Sequence, residues 1–186
     1  AMILAYGLFQ LVLITKKKRQ LTFRYTAKLA VAQALRRVSS RGFAVFHDVV
    51  IDGQLLDAVV AGGSGVYVVN VITRRCKRDQ DPVAFDGSSL HFDEQDETEA
   101  VRRIKGAARR LEQALRTKTG SDNVVVYPGL VVPGWTVQCA SGVDMPVVSE
   151  KNVDLLTSWK KPESYLLDEE LAAVQRSLSD WSRSSD

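Results

Sequence analysis

Hydrophobic and polar positions along this chain change their period several times, and each change marks an element. Residues 1–15 are almost wholly apolar. Residues 23–39 place Leu29, Val31, Ala32, Leu35 and Val38 at three- and four-residue spacing with Lys28, Arg36 and Arg37 between them. That pattern predicts an amphipathic helix, ended by Ser39-Ser40-Arg41-Gly42. Residues 43–51 alternate as a strand does, and Asp52-Gly53 is a hairpin-turn signal. Between Leu55 and Arg75, two runs rich in Val, Leu and Tyr flank Ala61-Gly62-Gly63-Ser64-Gly65, which predicts strand, tight turn, strand. The chain therefore opens as a helix followed by a three-strand meander.

Further on the signal is mixed. Residues 79–98 read as a polar, acidic loop with a minor hairpin around Asp86-Gly87-Ser88-Ser89. Residues 99–118 form a second amphipathic helix, with Val101, Ile104, Ala108, Leu111 and Leu115 on one face and arginines on the other. Residues 123–132 predict a buried strand in which Pro128-Gly129 marks a bend or bulge near a sheet edge. A turn at Pro133-Gly134-Trp135, a short strand at 145–149, a helix over 152–159 stopped by Lys161-Pro162, and a third amphipathic helix at 166–181 complete the reading. No internal repeat or low-complexity segment is visible. The boundaries expected are a hydrophobic and basic segment at 1–20, one domain at 21–160, and a helix with a polar tail at 161–186.

Composition adds little to the fold, since 186 residues with 45% hydrophobic content are enough for one ordinary core. Charge adds more. The net +3 hides three blocks: nine bases and no acid before Asp48, eight acids and no base over 79–99, and seven bases against Glu112 alone over 102–118. Such blocks can meet phosphate, lipid head groups or one another. The apolar residues 1–15 are followed at once by Lys16-Lys17-Lys18-Arg19, the reverse of a signal peptide's order. Two readings stand: the end of a membrane anchor whose basic collar holds the rest on the cytoplasmic side, or an amphipathic or swapped helix covering an apolar patch.

Candidate chemistry is sparse. Cys76 and Cys139 lie far apart and predict free thiols, and His47 and His91 have no partner at metal-ligand or triad spacing. The Gly-rich turn has no following Lys-Ser/Thr, so a nucleotide cofactor is not expected. Asp57 is the exception: a carboxylate among Leu55, Leu56, Val59 and Val60 needs a cationic or hydrogen-bonding partner.

The order of elements resembles the core of the PD-(D/E)xK nucleases, an α/β fold of restriction-endonuclease type with a mixed central sheet, an antiparallel three-strand meander and flanking helices. More closely, the chain resembles the nuclease-related domain (NERD) family. That family carries a Gly-Glu pair in its first helix, an Asp in a DHVVV-like run, and the Glu and Lys of a GVFVIETK-like run. Residues 56–75, LDAVVAGGSGVYVVNVITRR, lie over the last two runs, and VVVYPGLVVPGWTV is similar to a family subgroup with a Pro-Gly-Trp turn, some of whose members carry an N-terminal membrane segment. The resemblance implies that Asp57 keeps the family's aspartate, while Lys28, Asn70 and Ile72 stand where Glu, Glu and Lys would be. Two carboxylates for Mg²⁺ and a lysine for the attacking water are what hydrolysis in this fold requires, so the site is degenerate.

Three accounts of Asp57 follow: an ion pair with Lys28, a contact to ligand or nucleic acid, or surviving catalysis. The expected function is a nuclease-like domain without activity, acting as a binding or assembly module near the cytoplasmic face of a membrane and using no cofactor. Nucleic acid could be held at Arg74, Arg75, Lys77 and Arg78, with Arg102, Arg103, Arg109 and Arg110 adding charge; a protein partner or a second copy of the chain is the alternative. A different class is a divergent Mg²⁺-dependent nuclease, with Asp48 or Asp52 joining Asp57 and Lys105 or an arginine near Arg74 assisting. A third is an ordinary small α/β interaction domain; the resemblance is accidental if Asp57 and Asn70 do not lie side by side on adjacent strands with the Lys28 helix packed nearby.

Overall fold

The computed structural model describes residues 2–76, 81–93, 95–159 and 165–183, with only the backbone for 2–17, 19 and 20. The meander is present: β1 (Ala44–Ile51), β2 (Gln54–Gly62) and β3 (Gly65–Val71) pair antiparallel in sequence order. Asp52 and Gly53 both have positive φ, 49° and 74°, the backbone that a two-residue Asp-Gly hairpin demands. The sheet then becomes mixed. β7 (Val126–Val131) lies parallel to β3, and β9 (Val147–Val148) parallel to β7, giving the order β1-β2-β3-β7-β9. This is a restriction-endonuclease-like core. β7 and β9 are shorter than the predicted 123–132 and 145–149.

Pro128 sits where its missing N–H costs nothing. Leu130 and Val132 donate to Pro146 and Val148, so alternate β7 amides face β9, and Pro128 precedes the first paired position on that side. Gly129 packs closely on Leu156, where a Cβ would fall 2.8 Å from Leu156 Cδ2 and displace that side chain.

Helices cover both faces. α1 runs unbroken from Met2 to Ser39, joining the predicted 23–39 helix to the apolar N-terminal stretch. Among its described side chains one face is buried, starting at Ala27, with Val31, Leu35 and Val38 packing on Ala58, Val60, Val69 and Val131. On the opposite face, α2 (Thr98–Thr119) and α4 (Asp168–Arg183) enclose the larger core with Val59, Val68, Leu111, Leu130 and Leu178. The predicted 152–159 helix is instead a 3₁₀ turn, Glu150–Asn152, followed by the one-turn α3, Leu155–Ser158. Lys161-Pro162 lies outside the described residues.

The acidic stretch is more than a loop. β4 (Pro82–Phe85), β5 (Leu90–His91) and β6 (Asp96–Glu97) make a second sheet, completed by β8 (Thr136–Cys139) running parallel to β4. The predicted hairpin is β4–β5, its turn closed by Asp86 Oδ1 accepting from the amides of Ser88 and Ser89 at 2.7 Å. Cys76 and Cys139 are not joined in a disulfide, and Cys76 Sγ donates to the Gly134 carbonyl at 3.2 Å.

Candidate functional site

The groove at the end of the meander arises from a slip in the strand pattern. On β1, Phe46, Val49 and Ile51 face the larger core, so the alternation changes parity between 46 and 49. Asp48, with φ +52°, lies in that interval, and the β1–β2 register is the same on either side of it, His47 pairing with Ala58 and Val49 with Leu56, so the two strands kink together with no residue inserted. β2 slips at the matching point, Leu56 facing the larger core and Ala58 the smaller one. Asp57 falls on the slip, and the last β2–β3 pair is Ala58↔Val69.

Beyond that pair, side chains continue the ladder. Asp57 Oδ2 accepts from the Val71 amide at 2.8 Å, and the Asp57 amide donates to Asn70 Oδ1 at 3.4 Å. The other Asp57 oxygen, Oδ1, accepts from Lys28 Nζ on α1. Both carboxylate oxygens are therefore engaged, one by backbone and one by an ammonium. Asp57 and Asn70 do lie side by side with the Lys28 helix packed against them, so the strands pair as the family resemblance requires.

These residues floor a groove of about 1430 Å³, bounded by Phe23, Arg24 and Lys28 of α1, by residues 70–75, and by Glu97, Ala100 and Arg103 at the start of α2. Five cations line it, Arg24, Lys28, Arg74, Arg75 and Arg103, against the carboxylates Asp57 and Glu97. Lys28 and Arg74 are paired with those two carboxylates. Arg74 is fixed on every side: Glu97 and Gln95 accept from its guanidinium, the Phe92 ring lies 5.2 Å away, and Trp135 Nε1 donates to its carbonyl at 3.0 Å. This explains the Pro-Gly-Trp turn, whose indole also meets Phe92 edge-on. Arg75 lies 5.6 Å from the Phe23 ring and, like Arg24, pairs with no carboxylate among the described residues. Arg103 reaches Glu99 only at 3.9 Å.

The sequence signals for Arg74 and Arg75 thus converge on the groove, while Lys77 and Arg78 lie outside the described residues. Phe23, Arg24 and Phe92 were not singled out from sequence. Their roles depend on α1 and β5 approaching the end of β3, which no local pattern encodes. The relocated acid set does not assemble: Asp48 and Asp52 are exposed and do not line the groove, and Lys105 bonds Asp144 and the Gly87 carbonyl instead.

A divalent cation does not fit the residues present. Among the described residues no three His, Cys, Asp or Glu side chains converge. At the positions that matter, Asp57 has both oxygens occupied, Asn70 offers a neutral oxygen already bonded to an amide, and Ile72 packs into the core. Hard cations need several anionic or carbonyl oxygens, and an ammonium in their midst opposes binding.

Fold and groove define a protein of the restriction-endonuclease-like class. Consistent with this, the family model described as nuclease-related domain matches residues 24–133, and the chain belongs to that family. No curated protein and no solved structure matches it.

Proposed function

We propose that this chain is a nuclease-related module that binds nucleic acid through its phosphates without cleaving it, held against a membrane surface by the N-terminal part of α1. The observation that carries the binding reading is the charge of the groove: after Lys28, Arg74 and Arg103 are matched to Asp57, Glu97 and Glu99, Arg24 and Arg75 remain in excess. The loss of cleavage rests on the donor set at Asp57, which an ammonium occupies where the reaction needs metal ligands. For the membrane, the support is the unbroken helix through the apolar and basic residues 2–19, continued by Leu21 and Tyr25 at 65% and 71% exposure. No helix among the described residues is long and apolar enough to cross a membrane, so the contact proposed is with its surface.

A cleavage assay with Mg²⁺ and Mn²⁺ on single- and double-stranded DNA and RNA, run beside a gel-shift titration, tests this. The expected outcome is no metal-dependent product and a retarded complex that weakens steeply with salt, by a logarithmic slope of about −0.7 to −0.9 per phosphate contacted. Arg24→Glu with Arg75→Glu weakens the complex tenfold or more. Cleavage abolished by Asp57→Ala establishes a divergent nuclease instead, and absence of any complex leaves assembly with protein as the role of the groove.

A further inference from the structure

We infer that the Lys28 ammonium holds a nucleic-acid phosphate directly, in the place a divalent cation would occupy, so that binding in this groove requires no metal; this deepens the phosphate-binding reading above and rests on it. An ammonium carries three N–H donors, and the Asp57 bond uses one. The Lys28 side chain is 49% exposed and lines the groove, whereas its carboxylate partner is 18% exposed, so the ammonium is the more accessible member of the pair. Beside it, Asn70 spends its Oδ1 on the Asp57 amide, and its amide nitrogen has no partner among the described residues. The groove floor therefore presents N–H donors. Arg24 and Arg75 add unpaired positive charge at the wall, and a compact ammonium serves as a point charge for a phosphate oxygen.

The position of Asp57 completes the argument. Its carboxylate orients Lys28 through Oδ1 while Oδ2 is tied to the Val71 amide, so the ammonium is anchored to the sheet rather than carried on a loose side chain. Asp57 is in this account a positioning residue. Its negative charge opposes the phosphate, the opposite of what a metal-holding aspartate does for its substrate.

The test is fluorescence anisotropy of a labelled DNA oligonucleotide, single-stranded and duplex, with the full chain in EDTA and in millimolar Mg²⁺. The expected result is an affinity in EDTA at least as high as in Mg²⁺, which competes for the phosphates and is not needed to hold them. Because Lys28→Met alone would strand a half-buried carboxylate, the deciding variant is Lys28→Met with Asp57→Asn, which removes both charges and keeps an acceptor for the Val71 amide. Affinity falls about tenfold in this double variant. Parent binding lost in EDTA, or a double variant that binds as the parent does, overturns the inference alone. A parent that binds neither oligonucleotide at low salt overturns the phosphate-binding reading, and the inference with it.

Discussion

Asp57 is a residue whose surroundings reverse its expected meaning. A carboxylate in a hydrophobic strand of a nuclease-like sheet suggests a metal ligand, yet here it mends the sheet. It supplies the acceptor that Val71 would otherwise find in a backbone carbonyl, and it neutralises Lys28. Asp57→Ala leaves a part-buried amide and an ammonium without partners, which costs about 1–3 kcal/mol by urea denaturation. Asp57→Asn retains the amide's acceptor and costs less. A loss as large for Asn as for Ala would show that the charge, not the ladder, is what the site needs for stability. The need for a partner at Asp57 was legible from its apolar neighbours, and Lys28 was a named candidate through the family register. The bond to Val71 was not legible, because it depends on a joint kink of β1 and β2 at Asp48 and Asp57 that no local pattern encodes.

At the scale of elements, the β4–β5 hairpin and α1 each carry a prediction. His91 lies between two carboxylates, Nε2 2.9 Å from Asp86 and Nδ1 2.9 Å from Asp96. The hydrogen bond to Asp86, then that to Asp96, raises its pKa above the ordinary 6.5. The same bond to His91, followed by those from Ser88 and Ser89, lowers Asp86 below 3.8. A raised histidine stabilises fully below 6.5 and loses that contribution as pH rises through its folded value; a lowered aspartate stabilises above 3.8 and loses it as pH falls. The hairpin is thus most stable between those limits. His91→Gln flattens the decline of hairpin amide-exchange protection above pH 6.5, and an unchanged profile would assign the decline to another group. For α1, burial begins at Ala27 among the described side chains. Removing residues 1–20 leaves the domain folded by circular dichroism and abolishes flotation with anionic vesicles. Unfolding on truncation would make this segment part of the core, and retained flotation would move the membrane contact elsewhere.

Across the whole molecule, the three charge blocks of the sequence partly cancel. Arg74 meets Glu97, Lys105 meets Asp144, Glu99 takes Arg102 and Arg103, and Arg37 and Arg41 tie the end of α1 to the Glu150–Asp154 segment. Arg24 and Arg75, which pair with no carboxylate among the described residues, both line one groove, and the proposed binding rests on them. The sequence by itself determined the elements with strong local signals: the meander from its β-branched runs and its Asp-Gly and Gly-rich turns, α2 and α4 from their apolar periodicity, and the family register that set Lys28, Asn70 and Ile72 beside Asp57. Only the tertiary structure decided the second sheet, whose β4–β8 pairing joins residues some fifty positions apart. It also decided the fusion of the apolar N-terminal stretch with the amphipathic helix into one α1, and the assembly of Arg24, Phe23 and Arg75 on a common wall. The reason is physical. Turn chemistry and periodicity act within a few residues of the chain, whereas the charge and donor balance of a groove is the sum over elements that meet only when the core has packed.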